Sequence, residues 1–215
     1  MSQVRPVRIV ITGGPGAGKT ALIEVLRRNV CAHVALIPES ATIVFGGGFP
    51  RLRDDRGRRA AQRAIFHVQR ELEETVEPTG PTRVMLCDRG TIDGLAYWPG
   101  AEEEFCRAVG IAREDELFRY DAVIHMRPPS ANGGYTNDNP LRIETPEEAR
   151  AVDERIAHAW RGHPHRTFID STPDFLLKVR RALRVIRGLL PLECRAAARS
   201  PRSCGERGHT APLGT

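Results

Sequence analysis

The segment Gly13–Thr20 has the sequence G-G-P-G-A-G-K-T, which fits the G-x-x-x-x-G-K-T pattern of a Walker A phosphate-binding loop. The apolar run 7–12 before it predicts a buried strand, and 21–28 after it predicts a helix. This strand–loop–helix setting is the context in which the motif binds a nucleotide. The predicted nucleotide-binding residues are Gly13, Gly14, Pro15, Gly16, Ala17, Gly18, Lys19 and Thr20.

The residue types of this loop suit phosphate chemistry. Glycines allow a tight turn that brings backbone N–H groups close to phosphate oxygens, and the following helix adds the positive end of its dipole. Lys19 provides a mobile charge for the outer phosphates, and Thr20 provides a hydroxyl for Mg²⁺. The chain has only two lysines, Lys19 and Lys178, among 32 basic residues. An ordinary glycine turn, the alternative interpretation, would not require Lys19 and Thr20 in this register.

Length and composition predict one soluble globular domain, because 215 residues with 40% hydrophobic and 27% charged content can form a single core. No apolar run approaches the roughly 20 residues that span a bilayer. The first residues lead directly into a strand without a signal peptide, which predicts a cytoplasmic protein. The five scattered cysteines predict reduced thiols, and their spacing predicts no zinc site. The net charge of +5 is spread among 27 acidic residues, which disfavours a nucleic-acid partner.

Two acidic residues stand at the ends of predicted strands. The strand 33–37 leads into Pro38 and Glu39, and the strand 83–88 ends at Asp88 after four apolar residues, which is the Walker B pattern. Ligands bind at the carboxyl ends of strands in open parallel sheets. We therefore expect both acids to approach the phosphate region.

Asp88 is predicted to hold Mg²⁺ opposite the hydroxyl of Thr20, whereas the alternative for a strand-end aspartate is to cap the following turn. Arg89 follows Asp88 directly, so its guanidinium is expected near the phosphates, where it can bridge oxygens.

Strands and helices alternate along the chain. The pattern predicts an α/β fold, a P-loop NTPase three-layer sandwich with a five-stranded parallel sheet and helices on both faces. Residues 1–190 form the predicted nucleotide-binding, kinase-like domain, and 191–215 a disordered tail. The remaining strands are predicted at 121–126 and 166–170, and helices at 57–76, 101–109, 113–119, 146–161 and 173–190.

The apolar face of the long predicted helix follows a helical spacing of three and four residues. We expect this face to pack against the sheet. Its residues are Ala61, Ala64, Ile65, Val68, Leu72 and Val76.

Two segments are predicted to lie outside regular structure. The glycine-rich segment 46–51 either covers a site or is a plain surface loop. The segment 127–139 is rich in turn-forming residues, and Arg142 and Arg150 flank the start of the helix after it. This loop and helix could form a lid that brings Arg142 to the phosphates, or Arg142 could be a solvated surface residue.

The segments 13–20, 37–40, 87–90 and 142–170 together resemble the NadR-type AAA-domain family of P-loop ATPases, which includes the ribosylnicotinamide kinase domain of NadR. The resemblance extends to about Leu190. The Pro38–Glu39 and Asp88–Arg89 pairs are also similar to those of deoxynucleoside and thymidylate kinases. The resemblance implies that Glu39 occupies the position of the base and that Arg89 contacts phosphate. Those kinases often have Ser where this chain has Gly90.

These observations favour an ATP-dependent kinase that transfers a phosphoryl group to a hydroxyl of a small molecule, such as a nucleoside. The predicted catalytic residues are Lys19, Glu39, Arg89 and Arg142, and the cofactors are ATP and Mg²⁺ held by Thr20 and Asp88. The alternative is a regulatory NTPase that uses ATP or GTP as a switch. ATP is preferred because the chain has no Asn-Lys-x-Asp motif. The expected partners are a nucleotide and a small acceptor, without a membrane, for a monomer or homodimer.

Overall fold

The computed structural model describes residues 5–76, 82–129 and 145–197. All strand pairings in its single five-stranded sheet are parallel, and the spatial order is β2-β3-β1-β4-β5. This arrangement confirms the predicted α/β fold. The strands are β1 (Val7–Thr12), β2 (Val34–Ile37), β3 (Val84–Asp88), β4 (Ala122–Met126) and β5 (Arg166–Ile169).

The helices connect successive strands and cover both faces of the sheet. A 3₁₀ helix, Thr91–Tyr97, follows β3, and the sequence patterns did not predict it. The α-helices are α1 (Lys19–Asn29), α2 (Ser40–Gly46), α3 (Asp55–Val76), α4 (Glu102–Val109), α5 (Arg113–Leu117), α6 (Pro146–Ala159), α7 (Phe175–Leu189) and α8 (Leu192–Ala197).

The central strand β1 is buried on both faces, as its continuous apolar sequence requires. On one face Ile9 and Ile11 pack in a cluster with α1 and α7, and on the other Val10 packs in a cluster with α6. These are the two interfaces of the predicted three-layer sandwich. Because β3 lies between β1 and β2, the ends of all three strands meet at one edge of the sheet.

The most buried face of α3 differs from the predicted apolar face. Gln69 and Glu73 are 1% and 0% exposed, whereas Ile65 and Val68 are only partly buried. The helix therefore presents a polar stripe to the interior. The prediction was wrong here because hydrophobic periodicity cannot identify buried polar groups that satisfy one another through hydrogen bonds.

Two features near the C-terminal end also differ from the predictions. Helix α7 begins at Phe175 rather than at 173 as predicted, and the carboxylate of its cap, Asp174, accepts a hydrogen bond from the Leu177 N–H. Residues 192–197 form α8, so they are not disordered, because Cys194 packs into the core beside α7. Residues 198–215 of the predicted tail lie outside the described part of the chain.

Within the ranges described above, no helix is both long and apolar enough to cross a membrane.

Gly90 is a glycine because Trp160 fills the space beside it. A Cβ atom at Gly90 would lie 2.6 Å from the Trp160 ring and 3.0 Å from a methyl group of Val10. The Trp160 indole in turn donates a hydrogen bond to Asp93 at 2.5 Å. The ring cannot move away without breaking this bond, which explains why a serine does not fit here.

We therefore expect Gly90→Ser to lower the free energy of unfolding by about 1–3 kcal/mol, the usual cost of overpacking. The measurement is urea unfolding followed by circular dichroism. Gly188→Ala is the matched control, because a Cβ atom at Gly188 meets nothing within 4 Å. This control should be neutral or slightly stabilising. Equal unfolding midpoints for wild type and Gly90→Ser would contradict the packing argument.

Candidate active site

The phosphate loop connects β1 to α1 in a conformation that glycine makes possible. Gly13 and Gly18 have φ angles of 129° and 90°, in the region that residues with a Cβ atom rarely adopt. A Cβ atom at Gly13 would also lie 1.9 Å from the carbonyl oxygen of Met126, and one at Gly18 would lie 2.5 Å from the Phe175 ring. The loop is therefore packed tightly against β4 and the start of α7.

The side chain of Lys19 lies across the phosphate loop and is held there by backbone carbonyl groups of the loop. Its ammonium group donates hydrogen bonds to the carbonyl oxygens of Gly13 at 2.8 Å and Gly14 at 2.9 Å. Burial, followed by repulsion from the Arg89 guanidinium, lowers the pKa of Lys19 to about 7. A bound polyphosphate would reverse this effect, because its negative charge favours the protonated amine.

Nucleotide binding is therefore expected to raise the pKa of Lys19 towards its ordinary value of 10.5. Between about pH 7 and that value the free site is largely neutral and the complex charged, so binding takes up close to one proton. Affinity for the nucleotide should fall as pH rises through this window. The measurement is calorimetric titration with ATP at pH 8 in buffers that differ in ionisation enthalpy.

Lys19→Arg is the control for this titration, since arginine stays protonated and proton uptake should vanish. Asp88 should contribute little to the proton uptake at pH 8, because burial and the nearby Glu39 carboxylate raise its pKa only to about 6. A binding enthalpy that is the same in every buffer for the wild type would contradict the expectation.

Glu39 and Arg89 form an ion pair beside the loop. The Arg89 Nε donates to Glu39 Oε1 at 3.1 Å, and Arg89 Nη1 donates to the Gly13 carbonyl oxygen at 3.1 Å. The second oxygen of Glu39 accepts a hydrogen bond from the Thr42 hydroxyl at 2.7 Å. Burial works against ionisation of Glu39, but Arg89 and Thr42 outweigh it and hold the pKa of Glu39 below its ordinary value.

Arg89 itself has a φ angle of 77°, and it is the only non-glycine residue with positive φ in the part of the chain that the structure describes. Such a conformation costs about 1–2 kcal/mol for an ordinary residue. The strain turns the guanidinium back towards Gly13 and to within 3.6 Å of Asp93. Strained backbone of this kind is concentrated at functional sites.

Asp93 belongs to the supporting framework of the site. It accepts a hydrogen bond from the Thr12 hydroxyl at 2.7 Å and another from the Trp160 indole. It is 4% exposed. These bonds tie the 3₁₀ helix to β1 and α6.

Asp88 is the acid best suited to hold a cation. Within the described ranges its carboxylate makes no hydrogen bond or ion pair, whereas the oxygens of Glu39 and Asp93 are all occupied. Burial and the nearby Glu39 carboxylate raise its pKa to about 6, and a bound cation would favour the ionised form. Thr20 is an exposed residue at the start of α1. Carboxylate and hydroxyl oxygens are ligands that suit Mg²⁺, which prefers few protein ligands and several waters.

Two buried charged residues that the sequence patterns missed hold the phosphate loop in place through hydrogen bonds to its backbone. Asp153 on α6 accepts hydrogen bonds from the Gly14 N–H at 2.7 Å and from the His125 ring at 2.8 Å. Lys178 on α7 donates to the carbonyl oxygens of Ala17, at 2.7 Å, and of Arg127. Because the Gly14 N–H is occupied by Asp153, it is the least available donor of the predicted nucleotide-binding set.

A sequence signal existed for one of these residues. Lys178 is the second lysine of an arginine-rich chain, and the reasoning that favoured a compact ammonium at Lys19 applies to it equally. Burial lowers the pKa of Lys178 to about 8. Asp153 had no such signal, because an aspartate inside an amphipathic helix usually faces solvent.

The structure does not test the predicted lid arginine, because Arg142 lies outside the described residues. Arg150, on the first turns of α6, forms an ion pair with Glu147 at 3.1 Å on the surface.

A cavity of about 260 Å³ opens between the phosphate loop and α3. Glu39 and Arg89 line one wall, and Pro15 of the phosphate loop borders it. The volume is below the range of about 300–1,000 Å³ typical of drug-sized ligands, which suits a small molecule. Aromatic and amide side chains complete the wall of the cavity: Phe45, Gln62, Phe66, Gln69 and Tyr97.

The polar stripe of α3 explains the orientation of Gln69 in this wall. The Gln69 amide nitrogen donates to Glu73 at 3.0 Å, and Glu73 also accepts hydrogen bonds from Tyr120 at 2.8 Å and Arg119 at 3.0 Å. The Gln69 carbonyl oxygen is buried without a hydrogen-bond partner among the described residues. The cavity wall therefore holds, beneath its surface, an acceptor that no described residue satisfies.

The fold and these contacts define a P-loop protein with a kinase-like architecture, and the comparisons agree. A family model described as AAA domain matches residues 8–175. The chain therefore belongs to this AAA-domain family of P-loop proteins, as its NadR-type motifs predict. A search of curated proteins gives no match.

Solved structures show the same fold at low sequence identity. NadR in complex with NR is 17% identical with a TM-score of 0.61, over 85% of this chain and 51% of NadR. Deoxyadenosine kinase from M. mycoides with bound dATP is 12% identical with a TM-score of 0.55, over 84% and 98%. Thymidylate kinase from Candida albicans is 14% identical with a TM-score of 0.52, over 86% and 92%. The chain thus spans about half the length of NadR.

Proposed function

We propose that the protein transfers the γ-phosphoryl group of ATP to a hydroxyl group of a small acceptor, such as a nucleoside. The observation that carries this proposal is the Glu39–Arg89 ion pair, which lies between the phosphate loop and a cavity of about 260 Å³. An acceptor in this cavity would place a hydroxyl beside Glu39 and within reach of phosphates on the loop. Phosphoryl transfer requires mainly such positioning and electrostatic stabilisation.

Each residue has a role in this proposal that follows from its contacts. Lys19 exchanges its two backbone carbonyl partners for phosphate oxygens and becomes fully charged. Arg89 balances negative charge on the transferred group. Thr20 and Asp88 hold Mg²⁺, which neutralises phosphate charge when it is bound. Glu39 stays ionised because its pKa is low, so it orients the acceptor hydroxyl by accepting a hydrogen bond and is a weak base.

The unsatisfied oxygen of Gln69 adds a requirement for the acceptor. A buried polar atom without a partner costs about 1–3 kcal/mol, and a ligand that donates a hydrogen bond to it recovers that energy. The aromatic residues Phe45, Phe66 and Tyr97 line the same cavity and favour a flat ring. We infer that the acceptor carries an N–H group on a planar ring.

The alternative is a nucleotide switch that hydrolyses ATP slowly without an acceptor. The screen that separates the two measures ADP release from ATP·Mg²⁺ with nucleosides, sugars and amino alcohols, in pairs that differ only in a ring N–H group. Stimulation of at least about tenfold by one N–H compound, and less by its partner, supports the kinase. Slow turnover that no compound changes supports the switch.

Replacing Glu39 by glutamine tests its assigned role. The variant keeps the shape of the side chain but loses its charge, so acceptor-dependent turnover should fall by roughly 10²-fold, at the lower end of general-base effects. ATP affinity should stay within about threefold. The measurements are ATP·Mg²⁺ titrations and acceptor-dependent rates.

Asp88→Asn is the comparison for this variant and should instead raise the Mg²⁺ requirement and weaken the metal-bound nucleotide. If Glu39→Gln loses ATP affinity and keeps its rate at saturation, Glu39 acts near the metal and its assignment to the acceptor is wrong.

A further inference from the structure

Three metal-binding side chains meet at the edge of the sheet opposite the phosphate loop. Cys31 and His33 precede β2, and Cys194 lies on α8, more than 160 residues later in the sequence. Their donor atoms all lie within 4.8 Å of one another. The Cys31 sulfur is 3.9 Å from His33 Nδ1. None of the site residues discussed above belongs to this cluster.

The spacing of the three donors fits a tetrahedral zinc ion. With Zn–S bonds of about 2.3 Å and Zn–N bonds of about 2.0 Å, tetrahedral ligands lie roughly 3.5–3.8 Å apart. The distance of 3.9 Å between the Cys31 sulfur and the His33 nitrogen is close to this value. All three donor atoms lie within 4.8 Å of one another, so small side-chain rotations would bring them to the tetrahedral spacing. Thiolate and imidazole donors favour Zn²⁺ over Mg²⁺ or Ca²⁺, which take oxygen ligands.

The surroundings also suit such an ion. A cavity of about 160 Å³ adjoins the cluster and is lined mainly by apolar residues of α1 and α7, including Leu26 and Ile186. Two thiolates, one neutral imidazole and Zn²⁺ have no net charge, so the centre can be buried there at little electrostatic cost. The cavity leaves space for a water molecule as the fourth ligand.

We propose that Cys31, His33 and Cys194 bind one Zn²⁺ ion that fastens α8 to the turn before β2. This inference departs from the sequence analysis, which predicted no zinc site because the cysteines show no ligand spacing. The fold supplies the spacing by bringing the end of the described chain to β2. Zinc binding would stabilise the folded state, since ligands that meet only after folding bind the metal in that state alone.

The test is the zinc content of the full chain, purified with a reducing agent and dialysed against metal-free buffer. About one zinc per chain is expected for the wild type, with at least a tenfold lower content in Cys31→Ser and Cys194→Ser. Cys106→Ser is the matched control, because Cys106 lies on α4 away from the cluster. It should retain the metal.

Titration of the metal-free protein with Co²⁺ provides a second readout that does not depend on purification history. Tetrahedral thiolate coordination gives intense near-ultraviolet and visible absorption, expected for the wild type and Cys106→Ser and absent from Cys31→Ser. Zinc below about 0.1 per chain together with no such spectrum would overturn the proposal. A wild-type mass two hydrogens lower, with a linked Cys31–Cys194 peptide, would assign the pair to a disulfide and overturn it as well.

Discussion

Replacing Lys19 by methionine is expected to reduce ATP turnover by at least about 10³-fold, because the transition state loses a charge-assisted donor to the outer phosphates. The fold should survive. The ammonium is buried and its pKa is lowered to about 7, so the loss of two hydrogen bonds to Gly13 and Gly14 is offset by removal of a poorly solvated charge. The measurements are steady-state rates and urea unfolding.

Lys178→Met is the matched control, because Lys178 is the other buried lysine and also donates to two backbone carbonyl groups. It should change the free energy of unfolding about as little as Lys19→Met does, because the loss of two hydrogen bonds is again offset by removal of a buried charge, whose pKa burial lowers to about 8. Its turnover should change by less than about tenfold. Turnover of Lys19→Met within tenfold of the wild type would refute the assigned role of Lys19.

Replacing Arg89 by glycine is expected to lower turnover by about 10³-fold or more, the range found for arginines that stabilise phosphoryl transfer. The same substitution relieves the backbone strain at φ 77°, which alanine cannot do. Arg89→Gly and Arg89→Ala should therefore be equally inactive, while Arg89→Gly is more stable by about 1 kcal/mol. Rates and urea unfolding of both variants check this.

Arg150→Ala serves as the control, because the Arg150–Glu147 pair is on the surface. Its turnover and its free energy of unfolding should both stay close to the wild-type values. Equal stabilities of the two Arg89 variants would show that the positive φ angle carries no strain. Turnover of either variant near the wild-type value would remove Arg89 from the proposed mechanism.

The sequence predicted the elements whose patterns are local. The apolar strands ending at Thr12 and Asp88 and the phosphate loop between β1 and α1 are read from neighbouring residues, so their positions were correct to within a residue or two. The strand-end rule also predicted that Glu39 and Asp88 approach the phosphate region. In the structure both carboxylates are near enough to Lys19 of the phosphate loop to interact with its charge.

The sequence could not predict features that depend on residues distant along the chain. Asp153 meets Gly14 across 139 positions, and the cluster of Cys31 and Cys194 spans an even longer separation. The buried face of α3 was missed because Gln69 and Glu73 are polar. They can be buried because Glu73 accepts hydrogen bonds from Gln69 and Arg119. The spacing of Gln62, Gln69 and Glu73 along one helix face was a signal that hydrophobic patterns ignore.

The central claim is that the phosphoryl group leaves ATP for an acceptor hydroxyl, and transfer of a labelled γ-phosphoryl group tests it most directly. The wild type and Glu39→Gln are incubated with labelled ATP, Mg²⁺ and the stimulating compound, and the products are separated. The account predicts that the label appears on the acceptor, with a rate in Glu39→Gln lower by roughly 10²-fold. Label found only in inorganic phosphate, at the same rate with and without the compound, would contradict it.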